Sequence, residues 1–299
     1  YDQWSEDPQF IEDVMRFLDN VMTDFINRAP DEFAHAKYSA MRERSVGLGV
    51  MGLHSYFQQK NIPFGSVMSK VWNKKIFKNI QEKVDLASVS LAEERGACPD
   101  AAEYGMKERF SNKTAIAPTA SISIICGGSS PGIEPIAANS YTHKTLSGSF
   151  NVRNKYLKKI LQKHKKDTDD VWSTITTNQG SVAHLDFLTP EEKDTFKTAF
   201  EIDQRWIVEL GADRTPHISQ AQSINIFIPA DIHKKDLHDL HFQAWKKGLK
   251  SLYYCRSKSI QRAENVNKGS STDVTKNVYS QGQKSNNESN NYEECLSCQ

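Results

Sequence analysis

Ala115-Ile116-Ala117-Pro118-Thr119-Ala120-Ser121-Ile122-Ser123 is a short apolar stretch that runs directly into small and hydroxyl-bearing residues. Ala115 to Ala117 reads as a strand, and the residues after it as a loop with a possible helix start. Such a junction can cradle phosphate. Backbone N–H groups at a helix start face the anion, the helix dipole favours it, and Thr and Ser hydroxyls add donors. Gly127, Gly128 and Gly132 extend the run and permit tight turns. The same pattern also describes an N-capped helix after a strand, and spacing alone does not separate the two readings.

Working outward, helices and short strands alternate. Apolar residues at helical spacing run from Pro8 to Arg28 and again from Ser69 to Arg95, where Gly96 ends the pattern. Further helices are expected at Leu48–Lys60, Lys155–His164, Pro190–Arg205 and Asp236–Lys247. Strands are expected at Ser223–Pro229 and Lys250–Arg256. That alternation indicates an α/β fold.

The chain has 299 residues, enough for one large or two medium domains with ample apolar surface to bury. A net charge of +1 argues against a large electrostatic footprint for nucleic acid. The longest apolar runs fall short of a membrane span, and the acidic, polar N-terminus does not read as a signal peptide. Five cysteines, an odd count, suit a reducing compartment, and a cytoplasmic location is expected. The chain begins at Tyr1 and not at Met, so it is expected to be a piece of something longer.

Residues 1–258 are expected to form the folded part and residues 259–299 a disordered tail. Ser259 to Glu294 holds almost no large apolar side chains and cannot offset the entropy of ordering. A coil of that length spans roughly 30–35 Å. At its end stands Cys295-Leu296-Ser297-Cys298, a CxxC that can close a disulfide and reopen it by exchange. Half of a zinc site is the alternative, although a closed structural site needs four ligands and the tail has no His. Tyr253 and Tyr254 are adjacent on an expected strand, where alternation sends neighbours to opposite faces. They read as strand packing unless a radical must cross the protein. Cys98 and Cys126 read as packed thiols, Glu134 as structural, and His233, His238 and His241 as a solvated helix face rather than a metal site.

Taken together and in order, these segments resemble the C-terminal part of the large (α) subunit of class I ribonucleotide reductase. Arg44-Ser-Val-Gly-Leu-Gly-Val-Met-Gly-Leu53, Ala117-Pro-Thr-Ala-Ser-Ile-Ser123, Gly132-Ile-Glu-Pro135 and Leu146-Ser-Gly-Ser-Phe150 look like that family's successive segments. Gln220-Ala-Gln-Ser-Ile-Asn-Ile226, Trp245 to Tyr254 and Glu294-Cys-Leu-Ser-Cys298 continue the match over nearly the whole chain.

The resemblance implies the distal part of a ten-stranded α/β barrel. It implies that Pro118, Thr119, Ala120, Ser121 and Ile122 grip the diphosphate of a ribonucleoside diphosphate, that Tyr253 and Tyr254 relay a radical, and that Cys295 and Cys298 deliver reducing equivalents. No cofactor or metal is expected on this chain. The radical would come from a metal-containing small subunit and the electrons from thioredoxin or glutaredoxin. The family's Asn-x-Cys-x-Glu radical site is missing from the sequence, so the upstream half of the large subunit is an expected partner. A non-catalytic assembly module and the tail of a cobalamin-dependent reductase are the competing readings. The tyrosine pair argues against the second.

Overall fold

The computed structural model describes residues 1–145 and 148–257. The expected tail, with Cys295 and Cys298, lies outside the described residues. The chain opens with helix α1 (Phe10–Arg28), α2 (Ala34–Glu43), α3 (Leu53–Gln59), α4 (Val67–Arg95), α5 (Pro99–Glu103) and α6 (Ala120–Ile125). A hairpin of β1 (Ser140–Thr145) and β2 (Gly148–Arg153) follows, then α7 (Lys155–Lys163), α8 (Asp169–Thr177), α9 (Pro190–Thr195) and α10 (Gln204–Arg214). Strand β3 (Ile226–Ile228), α11 (Lys234–Lys246) and β4 (Cys255–Ser257) complete the order.

Four extended segments lie side by side in parallel and form the wall that carries the candidate site. Leu48 bridges Thr114, Ile116 bridges Gln222, and β3 pairs with β4. Main-chain bonds extend the pairing: Leu48 N–H to Lys113 C=O at 2.9 Å, Ile116 N–H to Ala221 C=O at 3.1 Å, and Ile226 N–H to Tyr254 C=O at 2.9 Å. Helices connect the segments, as parallel pairing requires. The α/β expectation therefore holds.

Helix α4 shows how sequence becomes packing here. Ser66 caps it by accepting the Ser69 N–H, while the Ser69 hydroxyl satisfies the Ser66 N–H. Its Ile76, Phe77, Ile80, Val84, Ala87 and Leu91 are buried in the main core against α1, the parallel wall and α10. A smaller core of Leu157, Leu161, Trp172, Ile175, Val182 and Phe196 joins α7 and α8. A third, from Val208, Ile226, Ile228, Leu240 and Ala244, seals α10 and α11 onto β3.

Two expected helices differ, and the strand expected over Lys250–Arg256 begins only at Cys255. The helix expected over Leu48–Lys60 begins only at Leu53, because Leu48 is committed to the wall and Gly49 passes against Ala115. A Cβ at Gly49 would overlap the Ala115 carbonyl oxygen. The helix expected over Pro190–Arg205 ends at Thr195, and a new one starts at Gln204. Between them Phe196, Ala199 and Ile202 turn inward, and Asp203 caps α10 through the Arg205 N–H at 3.0 Å. Burial thus overrides the helical spacing.

Candidate active site

The loop that opened the sequence reading leaves the wall at Ile116 and turns sharply at Thr119, whose φ of 55° is left-handed. That conformation is costly for a β-branched residue and points to a constraint. The constraint is visible: the Thr119 hydroxyl accepts the Gly132 N–H at 2.7 Å. Gly132 itself has a φ of 47°, and a Cβ there would meet the Ala117 carbonyl oxygen at 3.0 Å. Helix α6 then starts at Ala120, with its first main-chain bond from Ser123 N–H to Thr119 C=O at 2.9 Å. The N–H groups of Ala120, Ser121 and Ile122 precede that bond. Ser121 and Ile122 are exposed, and Pro118, Thr119 and Ala120 are half-buried. The arrangement offers main-chain donors and hydroxyls to an anion arriving from solvent.

The far side of the loop is anchored to α3. Ser55 and Ser130 exchange main-chain N–H to hydroxyl bonds at 3.1 and 2.8 Å. Leu53 N–H reaches Gly132 C=O at 3.3 Å. His54, fully buried, accepts the Ile136 N–H on Nδ1 at 3.0 Å. Burial pulls its pKa down to about 3, with the Thr195 main chain acting the other way, so the ring is neutral.

Tyr253 and Tyr254 do not take opposite faces, as simple alternation predicts. Their ring centroids are 4.1 Å apart at an interplanar angle of 51°. The main chain explains it. Tyr253 N–H bonds to Ile224 C=O, and Ile226 N–H bonds to Tyr254 C=O. Pairing therefore passes from Leu252 opposite Ile224 to Cys255 opposite Ile226, which leaves one extra residue on the tyrosine strand. This is a β-bulge, and a bulge re-aims side chains. Both rings remain about half exposed.

Asn225 fills the gap the bulge creates. Its Oδ1 accepts the Tyr254 N–H at 3.0 Å, and its Nδ2 donates to Glu134 Oε1 at 2.6 Å. Asn225 and Glu134 are both buried. Burial raises the Glu134 pKa to about 7, against the opposing pull of Asn225 and Arg256. The sequence alone singles out neither Asn225 nor His54 and reads Glu134 as structural. A signal existed for Asn225, since an amide between Ile224 and Ile226 in an apolar strand must find a buried partner. The hydrogen-bond chain from Glu134 through Asn225 to the Tyr254 N–H and the loop anchors bring the predicted phosphate loop and tyrosine pair onto one wall. The cysteine expectations divide: Cys98 is buried as expected, whereas Cys126 is exposed at the end of α6 and packs into no core. His233 caps α11 through the Lys235 N–H at 3.2 Å, and His233, His238 and His241 are all exposed, in keeping with a solvated helix face.

The family model described as ribonucleotide reductase, barrel domain, matches residues 2–108 and 99–255. This chain belongs to that family. It is 47% identical over 270 residues to the ribonucleoside-diphosphate reductase large subunit of Invertebrate iridescent virus 6, covering 89% of this chain and 28% of the relative. With the large subunit of Invertebrate iridescent virus 3 it shares 43% over 275 residues, or 91% of this chain and 43% of the relative. The Actinobacillus ureae class Id ribonucleotide reductase alpha subunit superposes with a TM-score of 0.80 at 39% identity, over 87% of this chain and 48% of that one. The chain thus spans less than half the length of these large-subunit relatives. No helix among the described residues of this ribonucleotide reductase chain is long and apolar enough to cross a membrane.

Proposed function

We propose that this chain is the distal, substrate- and radical-handling part of a ribonucleoside-diphosphate reductase large subunit. The observation that carries the reading is the meeting of two features on one parallel wall: an anion-ready loop at Thr119–Ile122 and a close, tilted tyrosine pair set by a bulge. The four wall segments are then part of a ten-stranded barrel that other residues of the large subunit close.

In this reading the N–H groups of Ala120, Ser121 and Ile122 and the hydroxyls of Thr119 and Ser121 hold the diphosphate. The Thr119 hydroxyl accepts from Gly132 and keeps its own proton to donate. Tyr253 and Tyr254 pass an electron and a proton in steps between a radical-bearing small subunit and a thiyl-forming cysteine upstream of this chain. Centroids 4.1 Å apart suit transfer within the pair. Substrate reduction removes the 2′-hydroxyl as water and leaves a disulfide. Cys295 and Cys298, outside the described residues, return two electrons to it from a thioredoxin- or glutaredoxin-like protein.

The test is reconstitution. The chain combined with a polypeptide bearing Asn-x-Cys-x-Glu, a radical-loaded small subunit, a ribonucleoside diphosphate and dithiothreitol should form deoxynucleotide. Omitting the Asn-x-Cys-x-Glu polypeptide should abolish it. Turnover by the chain and small subunit alone would refute the division of labour.

A further inference from the structure

We propose that Glu134 and Asn225 are positioning residues that lock the bulge carrying Tyr253 and Tyr254 to the segment anchoring the phosphate loop. The proposal rests on the function read above and adds to it two residues outside both the phosphate loop and the tyrosine pair.

The geometry points in one direction. At the bulge the Tyr253 N–H takes the Ile224 carbonyl, so the Tyr254 N–H turns to another acceptor while the Tyr254 carbonyl keeps its bond from the Ile226 N–H. The Tyr254 N–H is satisfied by a side chain, Asn225 Oδ1, at 3.0 Å. An amide group is symmetric enough to rotate by half a turn, which would present its NH2 to the Tyr254 N–H and break the bond. Glu134 prevents this. Its Oε1 accepts from Asn225 Nδ2 at 2.6 Å and so fixes which end of the amide faces Tyr254. Asn225 is 1% and Glu134 7% exposed, so water competes little for either bond.

The Tyr253 and Tyr254 rings are 47% and 45% exposed, and the Arg256 guanidinium lies 6.0 Å from the Tyr254 ring centroid. The backbone of the bulge sets where both side chains leave the strand. Glu134 belongs to the turn Gly132–Pro135, and Gly132 donates to the Thr119 hydroxyl at 2.7 Å. One short run of chain thus touches the phosphate loop at one end and, through Asn225, the tyrosine pair at the other. It sets the distance and angle between the two stations of the reaction.

The test uses the full chain, alone and within the complete large subunit with its small subunit, carrying 3-fluorotyrosine at position 254. Wild type and Glu134→Gln, which keeps an acceptor for Asn225, should give the same single fluorine resonance. Asn225→Ala and Glu134→Ala should shift it towards the free-tyrosine position or split it. In turnover, both alanine variants should lower kcat at least tenfold while KM for the nucleoside diphosphate changes less than twofold, and Glu134→Gln should restore kcat. An unchanged resonance in both alanine variants overturns the proposal, as does a loss in Glu134→Gln equal to that in Glu134→Ala. If the wild-type assembly does not reduce nucleotides at all, the functional reading falls, and the fluorine resonance still decides the positioning role by itself.

Discussion

At the scale of single residues, chemistry and position separate cleanly at Tyr253, Tyr254 and Ser121. A phenol O–H must be lost and regained for a radical to pass. Tyr253→Phe or Tyr254→Phe should therefore stop turnover while thermal unfolding and nucleotide binding stay close to wild type. Full activity in either variant would make the pair simple strand packing. Ser121→Trp should instead raise KM with kcat largely kept, because a phosphate contact is shared by ground and transition states. Two buried titrating groups make a further prediction, with opposite signs. His54 has a folded pKa of about 3, below its ordinary 6.5, so the unfolded chain binds more protons and stability is lost as pH falls below that ordinary value. Glu134 has a folded pKa of about 7, above its ordinary 4.5, so the folded chain binds more protons and stability is gained on acidification from pH 7. Between pH 7 and pH 5 each contributes on the order of 2 kcal/mol, and in wild type they nearly cancel. Urea unfolding should show Glu134→Gln losing about 2 kcal/mol over that interval and His54→Asn gaining a similar amount. Parallel pH slopes in all three proteins would contradict the assignment.

At the scale of elements, one buried carboxylate ties the ends of several segments together. Asp19 on α1, with no exposed side-chain surface, receives Arg44 after α2 at 2.6 Å, Arg95 at the end of α4 at 2.8 Å, and Arg109 at 2.8 Å. Burial pushes its pKa up, but the hydrogen bonds from Arg109, Arg95 and Arg44 outweigh this and hold it below the ordinary carboxylate value. Asp19→Ala would leave Arg44 and Arg109 buried without their anion. It should cost about 3–5 kcal/mol in denaturant unfolding, and a cost below about 1 kcal/mol would show that the arginines find other partners. None of this was legible from the sequence, where Asp19 reads as one more polar residue on an amphipathic helix. What the sequence does reveal follows local rules. α1 and α4 appear with their boundaries nearly right because their apolar spacing, the Pro8 start and the Gly96 stop are local. The α9 to α10 break and the late start of α3 are missed because burial of Phe196 and Ile202 and the pairing of Leu48 are decided by distant chain. The phosphate loop and tyrosine pair are legible as motifs. The bulge that brings the tyrosine rings together, and the Glu134–Asn225 link beside it, require knowing which strand lies alongside.

Across the whole molecule, the proposed reaction would need electrons to cross from a bulky protein reductant to a shielded site, and the proposal gives that task to Cys295 and Cys298. In that proposed reaction each ribose reduction would leave a disulfide. A thiolate of the CxxC can attack it, pass through a mixed disulfide and leave oxidised, having delivered two electrons. The oxidised pair must then be reduced by a partner that cannot itself enter. The polar Ser259–Glu294 stretch supplies the contour length for such a crossing. Dithiothreitol is small enough to reach the site disulfide directly. Changing both cysteines to Ser should therefore abolish multiple turnover with thioredoxin or glutaredoxin as reductant, yet leave much of the turnover with dithiothreitol. The first turnover of pre-reduced enzyme should be intact, because its site thiols are already loaded. A metal chelator should have no effect on either assay, which distinguishes a redox dithiol from half of a zinc site. Full activity of the double variant with the protein reductant would remove the CxxC from the electron path and leave the site disulfide to be reduced by another route.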